Sequence, residues 1–315
     1  MTRSDHAVPR AEKPRNFRVF GHEIAVERPQ GGLYLVATPI GNMGDVTLRA
    51  LETLAGVDAV ACEDSRITRR LLERYGIATP LISYHDHNAE TARPKILARL
   101  DAGEAIALVS DAGTPLISDP GFKLVRAARE GGHAVTALPG PSAVLAALAV
   151  ASLPTDRFLF VGFLPPREAA RRTRINEFAA IPATLLLFET GPRIAATLAD
   201  LAAGLGARSA AVCRELTKLH EEVRRGELAD LARHYADGAE IRGEFVVVVG
   251  PPAEIDIVAP ADLDALLRDA LATSSLKGAV EAVAATTGQK RRLIYQRALA
   301  LTNAAAEKSD DDEAD

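Results

Sequence analysis

Short runs of continuous apolar residues recur along this chain. Each is followed by a polar loop rich in turn-forming residues and then, in most cases, by a run with helical spacing. Leu33–Ala37, Ala59–Cys62, Leu81–Tyr84, Ala105–Val109 and Ala134–Leu138 are the first five. Short continuous apolar runs suit strands buried on both faces, and strands alternating with helices predict a mostly parallel sheet with helices on both sides. The helical runs include Thr47–Leu54, the stretch through Arg69, Arg70, Leu71 and Leu72, Phe122–Arg129, and an Ala/Leu run ending at Ala151. Residues 31–152 therefore read as one α/β domain.

Leu153-Pro154-Thr155-Asp156 reads as a linker, and the pattern then resumes over 153–255 as a second α/β domain. Its predicted strands are Phe158–Phe163, Ala183–Phe188, Ala210–Arg214, one beginning at Val223, and Phe245–Val249. Its predicted helices are Glu168–Ala180, Arg193–Leu201 and Leu228–Tyr235. From Asp262 the pattern changes to short amphipathic helices, the first carrying Leu263, Leu266, Leu267 and Leu271. Residues 262–302 read as a helical appendage of helix-turn-helix type, with Lys290, Arg291, Arg292 and Arg297 on or beside its last helix. Residues 1–30 have no sustained periodicity and read as a flexible arm; 303–315 read as an acidic disordered tail.

Composition changes this picture little. The chain has 315 residues, 48% hydrophobic and 25% charged, with no Trp, so the core must be built from Ala, Leu and Val. No apolar run is long enough to span a membrane, and no signal-peptide core is present, so a cytoplasmic location is expected. The two cysteines, Cys62 and Cys213, lie too far apart in sequence to suggest a disulfide or metal framework. The net charge of −5 resides in the acidic tail, and the rest of the chain balances. No global field steers a polyanion, yet local basic clusters such as Arg167, Arg171, Arg172 and Arg174 can hold phosphates.

Chemistry concentrates in the loops at the carboxyl ends of the predicted strands, where open α/β sheets bind ligands. The densest is Ser110-Asp111-Ala112-Gly113-Thr114-Pro115-Leu116-Ile117-Ser118-Asp119-Pro120-Gly121, which reads as a ligand loop. The first strand runs into Thr38-Pro39-Ile40-Gly41-Asn42, which is not the G-x-G-x-x-G fingerprint of a dinucleotide domain. The second ends in Glu63-Asp64-Ser65-Arg66, either a substrate-orienting turn or a helix cap. The third ends in His85-Asp86-His87-Asn88; no supporting ligands accompany its histidines, so no metal is expected. The fifth ends in Pro139-Gly140-Pro141-Ser142.

These motifs, in order and together with Phe188-Glu189-Thr190-Gly191-Pro192-Arg193, Arg214-Glu215-Leu216-Thr217-Lys218 and Gly243-Glu244-Phe245, resemble the tetrapyrrole methylase superfamily over roughly residues 31–302. Within it the resemblance is to the bacterial branch that methylates a cytidine 2′-hydroxyl in 16S ribosomal RNA of the small subunit, in its decoding region. It implies the two-domain architecture of class III methyltransferases, S-adenosylmethionine in the cleft, and a homodimer. Carried over by motif, the cofactor meets Ile40, Ala112, Gly113, Thr114, Ile117, Ser142, Ala143, Glu189 and Leu216, with Ser110 and Asp111 as neighbours. Tetrapyrrole-modifying members usually read Gly-Pro-Gly-Asp where this chain has Pro39-Ile40-Gly41-Asn42, which favours the RNA branch. Asp64, Glu63 and His85 are candidate bases, and Arg66, Arg171, Arg172, Lys290, Arg291 and Arg292 candidate RNA contacts. A porphyrinoid methylase of the same fold and a non-catalytic RNA-binding assembly factor remain the alternatives.

Overall fold

The computed structural model describes residues 15–236, 241–252, 260–287, 289 and 291–312, which belong to two compact units dividing between Pro251 and Pro252. In the first unit every predicted strand forms. Strands β3 (Gly32–Val36), β4 (Ala59–Cys62), β5 (Leu81–Ser83), β6 (Ala105–Val109) and β7 (Val135–Leu138) make an all-parallel sheet in the order β5-β4-β6-β3-β7. Every residue of β4 and β6 is buried, which is why both read as unbroken apolar runs. The intervening helices are α1 (Leu48–Gly56), α2 (Ser65–Arg74), α3 (Ala89–Asp101), α4 (Phe122–Glu130) and α5 (Ala143–Val150).

The second sheet contains β8 (Phe158–Phe163), β9 (Thr184–Thr190), β10 (Ser209–Arg214), β11 (Glu222–Glu227) and β12 (Glu244–Val249), ordered β11-β10-β12-β9-β8. Only the β8–β9 pair is parallel. Helices α6 (Glu168–Phe178), α7 (Gly191–Leu205) and α8 (Leu228–Ala236) supply residues to the core on one face, including Ile175, Leu198 and Leu231. The other face is covered by α5, which enters from the first sheet. Its Val144, Ala147 and Leu148 pack with Leu186, Ala211, Cys213, Val246 and Val248. This helix therefore couples the two sheets through apolar contact.

The expectation of a flexible arm over 1–30 is corrected for its second half; residues 1–14 lie outside the described residues. Strands β1 (Asn16–Val19) and β2 (His22–Ala25) form an antiparallel hairpin. Phe17 is buried in the core of the first sheet with α1 and α2 residues. The hairpin's mostly polar pattern is too short to stand out in sequence; Phe17, the half-buried Val19 and the Arg18 N–H bonded to the Tyr75 carbonyl hold it. Asp58 secures the segment: its carboxylate meets Arg15 at 2.8 Å and Arg28 at 2.7 Å and accepts the Ala105 N–H. Burial pushes this carboxyl up, but Arg28, Arg15 and the Ala105 N–H outweigh it and hold the pKa at about 2.

A folded-state pKa below the unfolded value gives stability that is present above about pH 4 and lost as pH falls toward 2. After solvent screening it amounts to about 1 kcal/mol. Asp58→Asn is expected to lose that amount at neutral pH and to show a flatter acid-unfolding curve. Urea melts at pH 7 and pH 3 measure both; an unchanged pH dependence would exclude Asp58 as the anchor.

The second unit contains α9 (Pro260–Thr273), α10 (Leu276–Thr287) and α11 (Arg291–Asp312) around Leu267, Val280, Val283, Ile294 and Ala298. A bidentate pair of Asp264 with Arg297, both contacts 2.6 Å, ties α9 to α11. The backbone of α11 continues past Thr302 to Asp312, which corrects the expected disorder from 303; residues 313–315 lie outside the described residues.

Candidate active site

The order of the first sheet decides where a ligand fits. The connection leaving β3 runs to β4 on one side, while that leaving β6 runs to β7 on the other. Their carboxyl ends mark the point where the direction of the connections reverses, the place for a ligand crevice in such a sheet. Its floor is fixed by a reciprocal pair of backbone bonds between Thr38 and Gly113, each 2.9 Å. The Thr38 hydroxyl also donates to the Ser110 carbonyl at 3.1 Å. Gly113 has φ +76°, a left-handed conformation that a side chain would strain. The Thr114 hydroxyl donates to the Pro141 carbonyl at 3.3 Å, joining this loop to the one before α5.

The second sheet closes the crevice into a cavity. Ile40, Ala112, Gly113, Thr114 and Ile117 from the loops after β3 and β6, Ser142 and Ala143 from the start of α5, and Glu189 and Leu216 from the second sheet and its β10–β11 loop line it. Nine residues assigned to the cofactor by motif thus share one cavity. Ser110 and Asp111 do not line it. Ser110 is buried beneath, its hydroxyl 3.2 Å from the Ala112 carbonyl, and Asp111 accepts the Asp64 N–H at 2.9 Å.

Glu189 is 1% exposed. Its carboxylate accepts the Thr190 N–H at 2.8 Å and the Thr197 hydroxyl at 2.6 Å, with Arg193 at 3.3 Å. Its part is to shape the wall. The sequence reading left Phe163, Phe188, Lys218, Glu244 and Asp119 out of the site, yet all line the cavity. Phe188, Lys218, Glu244 and Asp119 stood inside the quoted motifs, but no spacing rule says which residue of a buried strand or loop faces a neighbouring sheet.

The loop between β10 and β11 clasps the first loop. Asn42 donates its N–H to Thr217 Oγ1 at 3.0 Å. Glu215 and Thr217 adopt φ +51° and +67° to make this turn. Lys218 bridges Glu215 at 3.0 Å and Glu244 at 2.7 Å.

None of the three candidate bases lines the cavity. Asp64 caps α2 and is held by Arg66 at 2.6 Å; Arg66 keeps its pKa at about 2, so it is a poor proton acceptor. Glu63 is pushed up by burial and then by Asp111, Asp119, Asp86 and Asp64. His85 lies beside His87, with ring centroids 6.0 Å apart. Among the described residues no three His, Cys, Asp or Glu side chains gather as a metal site.

The basic residues divide. Arg171 is corrected as an RNA contact: it is buried, with Asp200 at 2.6 Å and the Pro166 carbonyl at 3.2 Å, so its charge is spent inside the protein. Helical spacing could not tell this arginine from Arg172, which pairs with Asp200 and Glu168 but stays accessible. Arg66, Arg291 and Arg292 are exposed, and Lys290 lies outside the described residues.

Two α/β halves therefore enclose one cavity. The family model of Tetrapyrrole (Corrin/Porphyrin) Methylases matches residues 32–232, and that of the RsmI C-terminal HTH domain matches 258–302. The chain belongs to the tetrapyrrole methylase family. Over 286 residues it is 50% identical to ribosomal RNA small subunit methyltransferase I of Mesorhizobium japonicum, covering 90% of this chain and 97% of that one. Among solved structures, a cobalamin biosynthetic enzyme, cobalt precorrin-4 methyltransferase, aligns with TM-score 0.54 and 18% identity over 69% of this chain and 94% of its own. A uroporphyrin-III C-methyltransferase from Thermus thermophilus, complexed with S-adenosylhomocysteine, aligns with TM-score 0.50 and 20% identity over 70% of this chain and 97% of its own. At such identities these structures speak for the fold alone.

Proposed function

We propose that this protein uses S-adenosylmethionine to methylate the ribose 2′-hydroxyl of a cytidine in 16S ribosomal RNA of the small subunit, in its decoding region. The observation that carries this reading is the switch-point cavity, lined by the motif residues of a chain half identical to ribosomal RNA small subunit methyltransferase I. The lining suits the cofactor. Ile40, Ile117, Phe188 and Leu216 offer apolar surface to an aromatic base, and the Ala112–Thr114 turn presents backbone polar groups beside them.

When bound, S-adenosylmethionine supplies an electrophilic methyl group on a sulfonium centre. The chain's part is to hold both reactants in one orientation, which converts a bimolecular encounter into a unimolecular step. The Thr38–Gly113 bonds keep the first wall rigid, and the Asn42–Thr217 bond keeps the second wall against it. Exclusion of water falls to the apolar side chains of both walls.

RNA contact is assigned to Arg66, Arg172, Arg291 and Arg292, with Lys290 beside them in sequence, on a homodimer that presents each patch twice. Near-neutral charge outside the tail suits recognition of shape in a preformed particle. The enzyme is expected to work in the cytoplasm; among the described residues no helix is long and apolar enough to cross a membrane.

The test is transfer of labelled methyl from S-adenosylmethionine to small subunits from cells lacking the activity, compared with free ribosomal RNA and a porphyrinoid. The expected product is 2′-O-methylcytidine, formed better on subunits than on free RNA. Label in the porphyrinoid, or none in RNA while the cofactor still binds, would overturn the reading.

A further inference from the structure

The cavity holds four carboxylates, and three are already engaged. Glu189 is bonded to Thr190 and Thr197 and paired with Arg193. Glu215 and Glu244 share Lys218, and Glu215 also accepts the Glu244 N–H at 2.8 Å. The fourth, Asp119, has no ion pair among the described residues.

Its position is imposed at a cost. Leu116 and Ser118, neither of them glycine, adopt φ +77° and +65°, and Gly121 adopts +136°. Left-handed backbone is unfavourable at an ordinary residue, because its Cβ crowds the following carbonyl oxygen. Such strain persists where the surrounding structure holds it, and it clusters at functional sites. The turns bring Asp119 back over the buried Ser110 at the end of β6. They also carry the loop toward the second sheet, where Ser118 Oγ lies 3.5 Å from the position a side chain at Gly162 would take.

We propose that Asp119 is the catalytic residue that accepts the proton of the acceptor hydroxyl. The proposal rests on the reading of this cavity as a ribose 2′-O-methylation site. In the step, an oxygen lone pair of the 2′-hydroxyl forms the new C–O bond. The C–S bond breaks, and its electron pair leaves with sulfur as a neutral thioether. The hydroxyl proton passes to the Asp119 carboxylate.

The surroundings prepare Asp119 for this. Burial pushes its carboxyl up to about 6; the Ser110 hydroxyl favours the charged form, and Asp111 opposes it. Glu63, at the end of β4, faces the same patch, and its own carboxyl is raised in part by Asp119. From the second sheet Glu189, Glu215, Glu244 and Lys218 face the cavity already engaged. A base of this strength is still mostly ionised near neutrality, yet holds a proton better than an ordinary carboxylate.

Asp119→Asn is expected to lower turnover on small subunits by about 10²–10⁴-fold. S-Adenosylhomocysteine affinity, measured by calorimetry, should stay within about threefold, a change of less than about 0.7 kcal/mol. The wild-type rate should rise with pH through about 6 and then level; Asp119→Asn should lose this limb, Glu63→Gln should keep it, and Asp119→Glu should restore part of the rate. Carboxyl NMR of the free protein should show a titration near 6 that is missing in Asp119→Asn.

A rate in Asp119→Asn within about threefold of wild type, or a fall matched by loss of S-adenosylhomocysteine binding, overturns the proposal. So does a wild-type rate that is flat between about pH 5 and 8. A wild-type protein that binds S-adenosylhomocysteine but methylates no subunit RNA overturns the functional reading itself. Failure confined to the Asp119 variants leaves that reading in place.

Discussion

Asp200→Ala is expected to cost about 3–5 kcal/mol of folding stability, because it leaves a buried charge without its partner. Arg171 and Asp200 are both nearly closed to solvent, with side-chain exposures of 7% and 4%, and they meet at 2.6 Å between α6 and α7. Asp200 also holds Arg172 at 2.7 Å. Removing the carboxylate strands the Arg171 guanidinium beside Pro166, with one carbonyl left to bond. The effect should appear as a lower urea midpoint with an unchanged slope. Replacing Arg171 and Asp200 together by apolar residues of similar volume should recover much of the loss, since the pair's net worth is far smaller than the penalty for breaking it. A loss below about 1 kcal/mol in the single variant would mean that water reaches Arg171.

Gly41→Val is expected to weaken S-adenosylhomocysteine binding by about ten- to a hundredfold, equivalent to about 1.4–2.8 kcal/mol. A Cβ at this position would overlap Lys218 Cγ and stand 2.9 Å from Thr217 Oγ1 and 3.2 Å from the Leu216 carbonyl oxygen. The crowding involves a hydroxyl and backbone as well as the Lys218 stem, so rotating one flexible side chain does not relieve it. The two loops must separate, which breaks the Asn42–Thr217 bond and parts Ile40 from Leu216 across the cavity. The same separation uncovers Leu216, a buried member of the core beside α5, so the urea midpoint should fall as well. Calorimetric titration measures the affinity; an unchanged value would show that the β10–β11 loop can withdraw without consequence for the ligand.

The architecture of the first sheet was legible because its central strands are buried on both faces. Strands such as Ala105–Val109 need no partner to be recognised: continuous apolar residues bounded by turn chemistry identify them. The loops were legible for a related reason. Gly, Pro, Asp, Ser and Thr in such density mark turns, and those residues are concentrated at strand ends. The β1–β2 hairpin was missed because its contacts with the core, through Phe17 and the half-buried Val19, are too few to make a pattern amid residues exposed to solvent.

By itself, then, the sequence determined the order of the strands from β3 to β12, the turn-rich loops at their ends and the helical appendage, all of which depend on local period and turn residues. Only the tertiary structure decided which of those residues meet. It placed α5 against the second sheet, so that loops far apart in sequence line one cavity. Two adjacent arginines were sorted by it, one into a buried pair and one onto the surface. It separated Asp64, tied to a cation, from Asp119, which has no ion pair among the described residues. The physical reason is the same in each case. Burial and charge pairing depend on distances between segments remote in sequence, and no local pattern encodes those distances.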